Sequence, residues 1–329
     1  MAKQTVTIYD VARESGVSMA TVSRVVNHNP NVKPSTRQKV EEVIKRLKYR
    51  PNAVARGLAS KKTTTVGVII PDVTNLYFSS LAKGIDDIAS MYNYNIILAS
   101  SDGDTEKEIR VLNTVLAQQV DGIIFMGNKL KDQVRKEIEL TDTPVVLAGT
   151  LDEEGKLPTI GINYKTATKD ATKFLLEKGY EKIALLGLDM HSRKHTMTTE
   201  GYQEAMGDFD EHIIRVDENL ANFEADRVID KFIEDEINAA VIEDDRLAID
   251  ILNHLFARGL NVPNDFEIIT LNNSPLVKIS RPNLTTVSQP LYDIGAVAMR
   301  LLTKLMNDEE IDEFNISLPY KIRDAGSTK

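Results

Sequence analysis

The chain has 329 residues, with 40 Lys and Arg against 49 Asp and Glu and no cysteine. That length suits two or three domains, each able to bury a core, and 42% hydrophobic with 27% charged residues excludes a disordered or fibrous chain. The lack of cysteine excludes a disulfide framework, a thiolate metal site and a cysteine nucleophile.

Residues 1–7 carry no apolar signal core, and no run of about 18 apolar residues occurs, so a cytoplasmic protein without membrane contact is expected. The charge is divided unevenly. Residues 1–62 hold 13 Lys and Arg but only four acids (Asp10, Glu14, Glu41 and Glu42), a balance of +9 that leaves −18 on the remainder. A small basic module on a large acidic body suggests a nucleic-acid reader joined to something else.

The first helix is expected to start at Thr7, with Asp10 at the reciprocal position of a capping box. Ile8, Val11 and Ala12 then form one apolar face. Gly16 breaks this helix, and Ser18 is a good N-cap for a second one over residues 19–26. There Val22, Val25 and Val26 point inward and Met19, Ala20, Ser23 and Arg24 outward. A third helix follows Pro34 and Ser35, with Val40, Val43, Ile44 and Leu47 on one side. Two short helices around a tight glycine turn, braced by a third, form the helix-turn-helix layout, in which the second helix enters the major groove. Its short outward side chains allow close approach to base edges, and Arg24 reaches guanine or phosphate.

The runs from Thr7 to Asn27 and from Tyr49 to Ala59 resemble the LacI/GalR family of bacterial transcription regulators. The resemblance implies that Met19, Ala20 and Arg24 read bases, while Thr7, Ser18, Thr21, Ser23, Asn27 and Tyr49 position the DNA backbone. It also implies a hinge helix within residues 51–61, where Asn52 and Ala55 approach the DNA and Leu58 wedges into the minor groove. Pro51 suits a helix start, but the segment is short and contains Gly57. It is therefore expected to order only on DNA, which predicts no hydrogen-exchange protection of residues 51–59 in the free protein.

From Lys62 onward the pattern changes to apolar strands at 65–71, 93–100, 122–126, 144–147, 160–163, 182–187, 239–242, 266–270 and 284–287. Helical stretches separate them, including 77–92 and 105–118. Near-continuous apolar strands of this kind form parallel sheets covered on both faces, here in two lobes. The family implies a core resembling a two-lobed periplasmic binding protein. The expected organisation is an all-α helix-turn-helix headpiece at 1–50 and a hinge at 51–61. An α/β core follows, with an N-lobe at 62–161 and 291–320 and a C-lobe at 162–290 and 321–329.

Catalysis is not expected: GxGxxG, Walker, GxSxG and HExxH motifs are all missing. His191 and His195 are four residues apart but lack a third metal ligand and read as a surface loop. The acid runs 234–236 and 243–245 read as solvated, because adjacent side chains point in different directions. No metal or cofactor is expected, apart from weak modulation by a sugar phosphate.

Three segments, 52–67, 86–97 and 289–307, narrow the resemblance to a regulator of carbon use. That resemblance implies a homodimer on a palindromic double-stranded operator, repressing most targets. It also implies a protein corepressor, the phosphocarrier HPr phosphorylated on a serine. A helix over 292–306 places Arg300 and Lys304 one turn apart, a spacing suited to a phosphate. By the resemblance these two meet the phosphoserine and Tyr292 and Asp293 flank the contact. The alternative is a sugar-gated repressor of the same family. Against it, Thr198 stands where effector-binding members carry Arg, three residues before Gly201-Tyr202. Asn272 stands where they carry Asp, although Asp245 of the cleft is kept.

Overall fold

The computed structural model describes residues 6–50, 62–188, 192–216 and 224–329. The chain divides into two units, Met1–Thr63 and Thr64–Lys329.

The first unit contains α1 (Ile8–Ser15), α2 (Met19–Val26) and α3 (Pro34–Leu47). The Asp10 carboxylate accepts from the Thr7 N–H at 3.0 Å and the Thr7 hydroxyl at 2.8 Å, closing the start of α1. These bonds, first that from the Thr7 backbone, hold the Asp10 carboxyl below the usual range. Gly16 ends the helix in the left-handed conformation at φ 63°. Val11, Ala12, Val22, Val25, Val40 and Val43 are buried together, with Ile8, Val17, Val26, Ile44, Leu47 and Tyr49 packed around them. Each fully buried valine stabilises so small a unit by about 1.5–3 kcal/mol.

The second unit contains two six-stranded sheets. The N-lobe runs through β1 (Thr65–Ile70), α4 (Leu76–Met91), β2 (Asn95–Ser100), α5 (Thr105–Ala117), β3 (Gly122–Phe125), α6 (Asp132–Glu139), β4 (Val145–Ala148) and β5 (Thr159–Gly161). The C-lobe begins with α7 (Tyr164–Leu176), β6 (Ile183–Leu188), α8 (Arg193–Met206), β7 (His212–Val216) and α9 (Ala225–Glu234). It continues with β8 (Ala239–Ile242), α10 (Asp245–Ala257), β9 (Glu267–Thr270), α11 (Leu276–Ile279) and β10 (Thr285–Ser288). The chain then returns to the N-lobe with α12 (Leu291–Met306) and β11 (Asn315–Ser317), and to the C-lobe with β12 (Lys321–Arg323).

The N-lobe sheet has the order β11-β5-β4-β3-β1-β2 and is parallel throughout. The C-lobe sheet has the order β12-β10-β9-β8-β6-β7. It departs from the all-parallel expectation at one edge, where β12 runs antiparallel to β10 with Val287 opposite Ile322. β12 enters straight from the other lobe across residues 318–320, so no βαβ crossover sets its direction. The strands β1, β3, β4, β6, β8 and β9 are buried almost end to end, as sheets covered on both faces require.

α12 lies against α4 in the N-lobe core, through Leu81, Ile85 and Ile88 on α4 and Leu291, Ile294, Ala298 and Met299 on α12. The backbones meet at two glycines. A Cβ at Gly84 would lie 2.1 Å from the Tyr292 carbonyl oxygen, and one at Gly295 would lie 2.0 Å from that of Leu81. The two helices therefore pack backbone against backbone, with no room for a side chain at either point.

Candidate functional site

In the headpiece, the Ser18 hydroxyl caps α2 by accepting from the Thr21 N–H at 3.2 Å, and it lies 3.0 Å from the Thr21 hydroxyl. With Val22 and Val25 buried, Ser18, Met19, Ala20, Arg24 and Asn27 are exposed, and Thr21 and Ser23 are half-buried. Met19 is 41% exposed despite its apolar side chain. The Arg24 guanidinium has no partner among the described residues. Thr7 is exposed at the start of α1, and Tyr49 is half-buried just after α3. The face combines an exposed, Ser18-capped helix N-terminus, short side chains and one long cation, which suits phosphate at its end and base edges along its length. Asn52, Ala55 and Leu58 of the expected hinge lie outside the described residues, as does His191.

In the core, the carboxyl ends of β6, β7 and β8 gather a polar cluster. The Glu243 carboxylate accepts from the Thr198 hydroxyl at 2.6 Å and from Arg215 Nη1 at 2.8 Å, and Arg215 Nη2 donates to the Thr199 hydroxyl at 2.7 Å. Room for this pair depends on Gly187, where a Cβ would lie 2.3 Å from Arg215 Nη1. Asp244 caps α10, and Asp245 Oδ2 accepts from the Ser274 N–H at 2.6 Å.

The acid run 243–245 was expected to be solvated; instead its members are 6%, 8% and 2% exposed. The run spans the end of a strand, a helix cap and the first helical turn. Its three side chains therefore point to three different internal partners. Asn272 is also buried, at 7%, and its Oδ1 has no hydrogen-bond partner among the described residues. The other run, 234–236, is mostly exposed. Among the described residues no group of three or more His, Cys, Asp or Glu could hold a metal ion.

On α12, Arg300 and Lys304 are exposed one turn apart, and Tyr292 and Asp293 are exposed in its first turn. The Tyr292 hydroxyl donates to Asp87 on α4 at 3.3 Å, and Asp87 also pairs with Lys83 at 2.5 Å. Beside the two cations lies a groove of about 270 Å³ whose apolar walls are Val297, Leu301, Ile311 and Ile316.

Residues 7–52 match the family of bacterial regulatory proteins of the lacI type, and residues 172–328 match the periplasmic binding protein-like domain. Catabolite control protein A of Streptococcus mutans is 54% identical over 330 residues, covering 99% of this chain and 98% of that protein. The chain belongs to the LacI family of bacterial regulatory proteins. Among solved structures, the transcription regulator CcpA of Lactococcus lactis is 42% identical with a TM-score of 0.76, covering 80% of this chain and 99% of that one. The lac repressor dimer bound to operator and an anti-inducer has a TM-score of 0.86 at 24% identity, covering 99% of both chains, and shares the fold.

As a LacI-family member the chain is a DNA-binding transcription regulator and not an enzyme. No helix among the described residues is long and apolar enough to cross a membrane. Sequence reasoning missed the part of this regulator's cleft built by Thr198, Arg215 and Glu243. The signal the sequence offered was the departure from Arg at position 198, where the Thr198 hydroxyl donates to the same Glu243 carboxylate as Arg215.

Burial pushes the Asp245 carboxyl up to about 6, against the lowering effect of its bonds to Ser274 and Thr270. An acid with a raised folded pKa favours folding most when it is protonated, and that contribution fades as pH rises through 6. Asp245→Asn keeps the acceptor for Ser274 and removes the buried charge. It is expected to raise stability at pH 8 by about 2–3 kcal/mol. The gain should vanish toward pH 4, and urea melts across that range measure it.

Proposed function

We propose that the chain is a homodimeric regulator of carbon catabolite control, acting mainly as a repressor, that binds a palindromic operator and is stimulated by serine-phosphorylated HPr. The observation that carries this reading is the exposed Arg300 and Lys304 pair on α12, one turn apart on a groove that Val297, Leu301, Ile311 and Ile316 line together with Asp312 and Glu313. A guanidinium offers a phosphate two parallel hydrogen bonds and the ammonium adds a second charge. The groove accommodates an apolar side chain next to the phosphoserine, and Tyr292 and Asp293 border the contact. The name of the Streptococcus mutans relative supports the assignment to catabolite control.

Two-fold symmetry of a dimer matches a palindrome with one headpiece per half-site. The location consistent with such a role is the cytoplasm. A sugar phosphate enters this reading only as a weak modulator, because the Glu243 carboxylate in the cleft is already taken by Thr198 and Arg215.

The test is operator affinity with and without serine-phosphorylated HPr, titrated against salt. Phosphorylated HPr is expected to tighten binding and unphosphorylated HPr to leave it unchanged. In Arg300→Ala, affinity for the phosphoprotein should fall at least about 30-fold, in line with truncating one partner of a buried charge pair. Basal DNA binding should stay as it was. Undiminished stimulation of that variant would refute the reading.

A further inference from the structure

The two lobes of the core are bridged by side chains of the chain itself. Arg193, the first residue of α8 in the C-lobe, donates from Nη1 to the Asp152 carbonyl in the N-lobe at 3.0 Å. Arg246, in the first turn of α10, places Nη1 3.7 Å from Oδ2 of Asp72, which follows β1 of the other lobe. Lys194 lies 4.7 Å from the ring centre of Tyr164 on α7 and 5.8 Å from that of Tyr77 on α4, so one ammonium faces a ring from each lobe. The two tyrosine hydroxyls are 3.5 Å apart.

Each anchor is held in place from behind. Asp152 is buried against Arg135, and its Oδ2 accepts from the N–H groups of Lys156 at 2.6 Å and Leu157 at 2.9 Å. Arg246 Nε also lies 3.3 Å from Asp244, the cap of its own helix. Tyr77 and Tyr164 are 4% and 0% exposed, so their rings have little freedom to follow a displaced lysine. A cation between two shielded aromatic faces is held more firmly than one in water. Single exposed ion pairs contribute little, but three bridges at separate points of one interface act together on a single opening motion.

We propose that Arg193, Lys194 and Arg246 form a built-in latch that keeps the two lobes closed on the chain's own side chains. The latch is tied to the surface of α12, because Tyr77 lies in the first turn of α4, the helix locked to α12 at Gly84 and Gly295. A molecule docking on α12 therefore meets a body that already carries one half of the latch. The proposal does not depend on which molecule that is, and its test uses none.

The chain has no native cysteine. Lys136→Cys on α6 and Lys231→Cys on α9 place one spin label on each lobe at exposed positions. Pulsed electron resonance on full-length labelled chains, diluted with unlabelled ones, reads the inter-lobe distance. The otherwise native chain is expected to give one narrow distribution. Adding Arg193→Ala, Lys194→Ala and Arg246→Ala should broaden it toward longer distances and lower the closed-to-open ratio at least about tenfold. Lys194→Arg, which keeps a cation between the rings, should preserve the narrow distribution. A native chain that is already broad would overturn the proposal, as would a triple variant as narrow as the native chain. If the triple variant fails to fold, Lys194→Met and Arg246→Gln singly decide in the same way, and no broadening in either overturns it.

Discussion

Alanine in place of Gly84 is expected to destabilise the core by about 3 kcal/mol and to disturb the face of α12 proposed to receive the corepressor. In an unconstrained helix the same change would stabilise, by about 1 kcal/mol, because glycine is a poor helix former. Here the added Cβ would lie 2.1 Å from the Tyr292 carbonyl oxygen and 2.9 Å from the Ala296 nitrogen. Both are backbone atoms of α12, so no side-chain rotation relieves the clash and the helices must separate. Inserting one methyl group into a packed core costs about 1–3 kcal/mol, and a backbone-to-backbone contact belongs at the upper end. Gly295 makes the reciprocal approach to Leu81, so Gly295→Ala should behave alike. Ser90→Ala, an exposed position of the same helix, should stay within about 0.5 kcal/mol of the native chain. Urea unfolding midpoints measure all three. The two glycine variants should also respond more weakly to serine-phosphorylated HPr, since displacing Tyr292 moves the helix that carries Arg300 and Lys304.

The headpiece was legible almost residue by residue because its signals are local. The Thr7–Asp10 box, the Gly16 turn, the Ser18 cap and the valines of α2 all act within one or two helical turns, and all stand where the sequence places them. The buried strands of the core were equally readable, since Thr65–Ile70 or Ala239–Ile242 has no other plausible place than a covered sheet. Of the four edge strands only β2, expected at 93–100, was readable. In β7, His212 and Arg215 interrupt the apolar run, and β11 and β12 are three residues each and half-exposed.

The cleft was the least legible part. Adjacent acids read as a solvated run until the topology assigns Glu243 to Arg215, Asp244 to a helix cap and Asp245 to Ser274. The inter-lobe pairs have no local pattern at all: Arg193 finds Asp152, and Arg246 finds Asp72, only after the chain has passed from one lobe to the other.

Arg24→Ala is expected to weaken operator binding about 10- to 100-fold while leaving affinity for random DNA nearly unchanged. The guanidinium projects from the exposed side of α2, opposite Val22 and Val25, and has no partner among the described residues that it must abandon to reach DNA. A bidentate contact to guanine is worth about 1–3 kcal/mol of discrimination, which sets the expected range. Phosphate contacts act otherwise: losing one weakens all sequences alike and reduces the salt dependence by about one unit of slope. Titrating the variant on operator and on random DNA at several salt concentrations separates the two roles. Ser18→Ala supplies the contrast, because losing the cap costs the helix about 1 kcal/mol and, together with the loss of the expected Ser18 contact to the DNA backbone, lowers both affinities alike. A loss confined to the operator, with an unchanged salt slope, identifies Arg24 as a base reader. An equal loss on both DNAs with a shallower slope would make it a phosphate contact and leave Met19 and Ala20 to read the sequence.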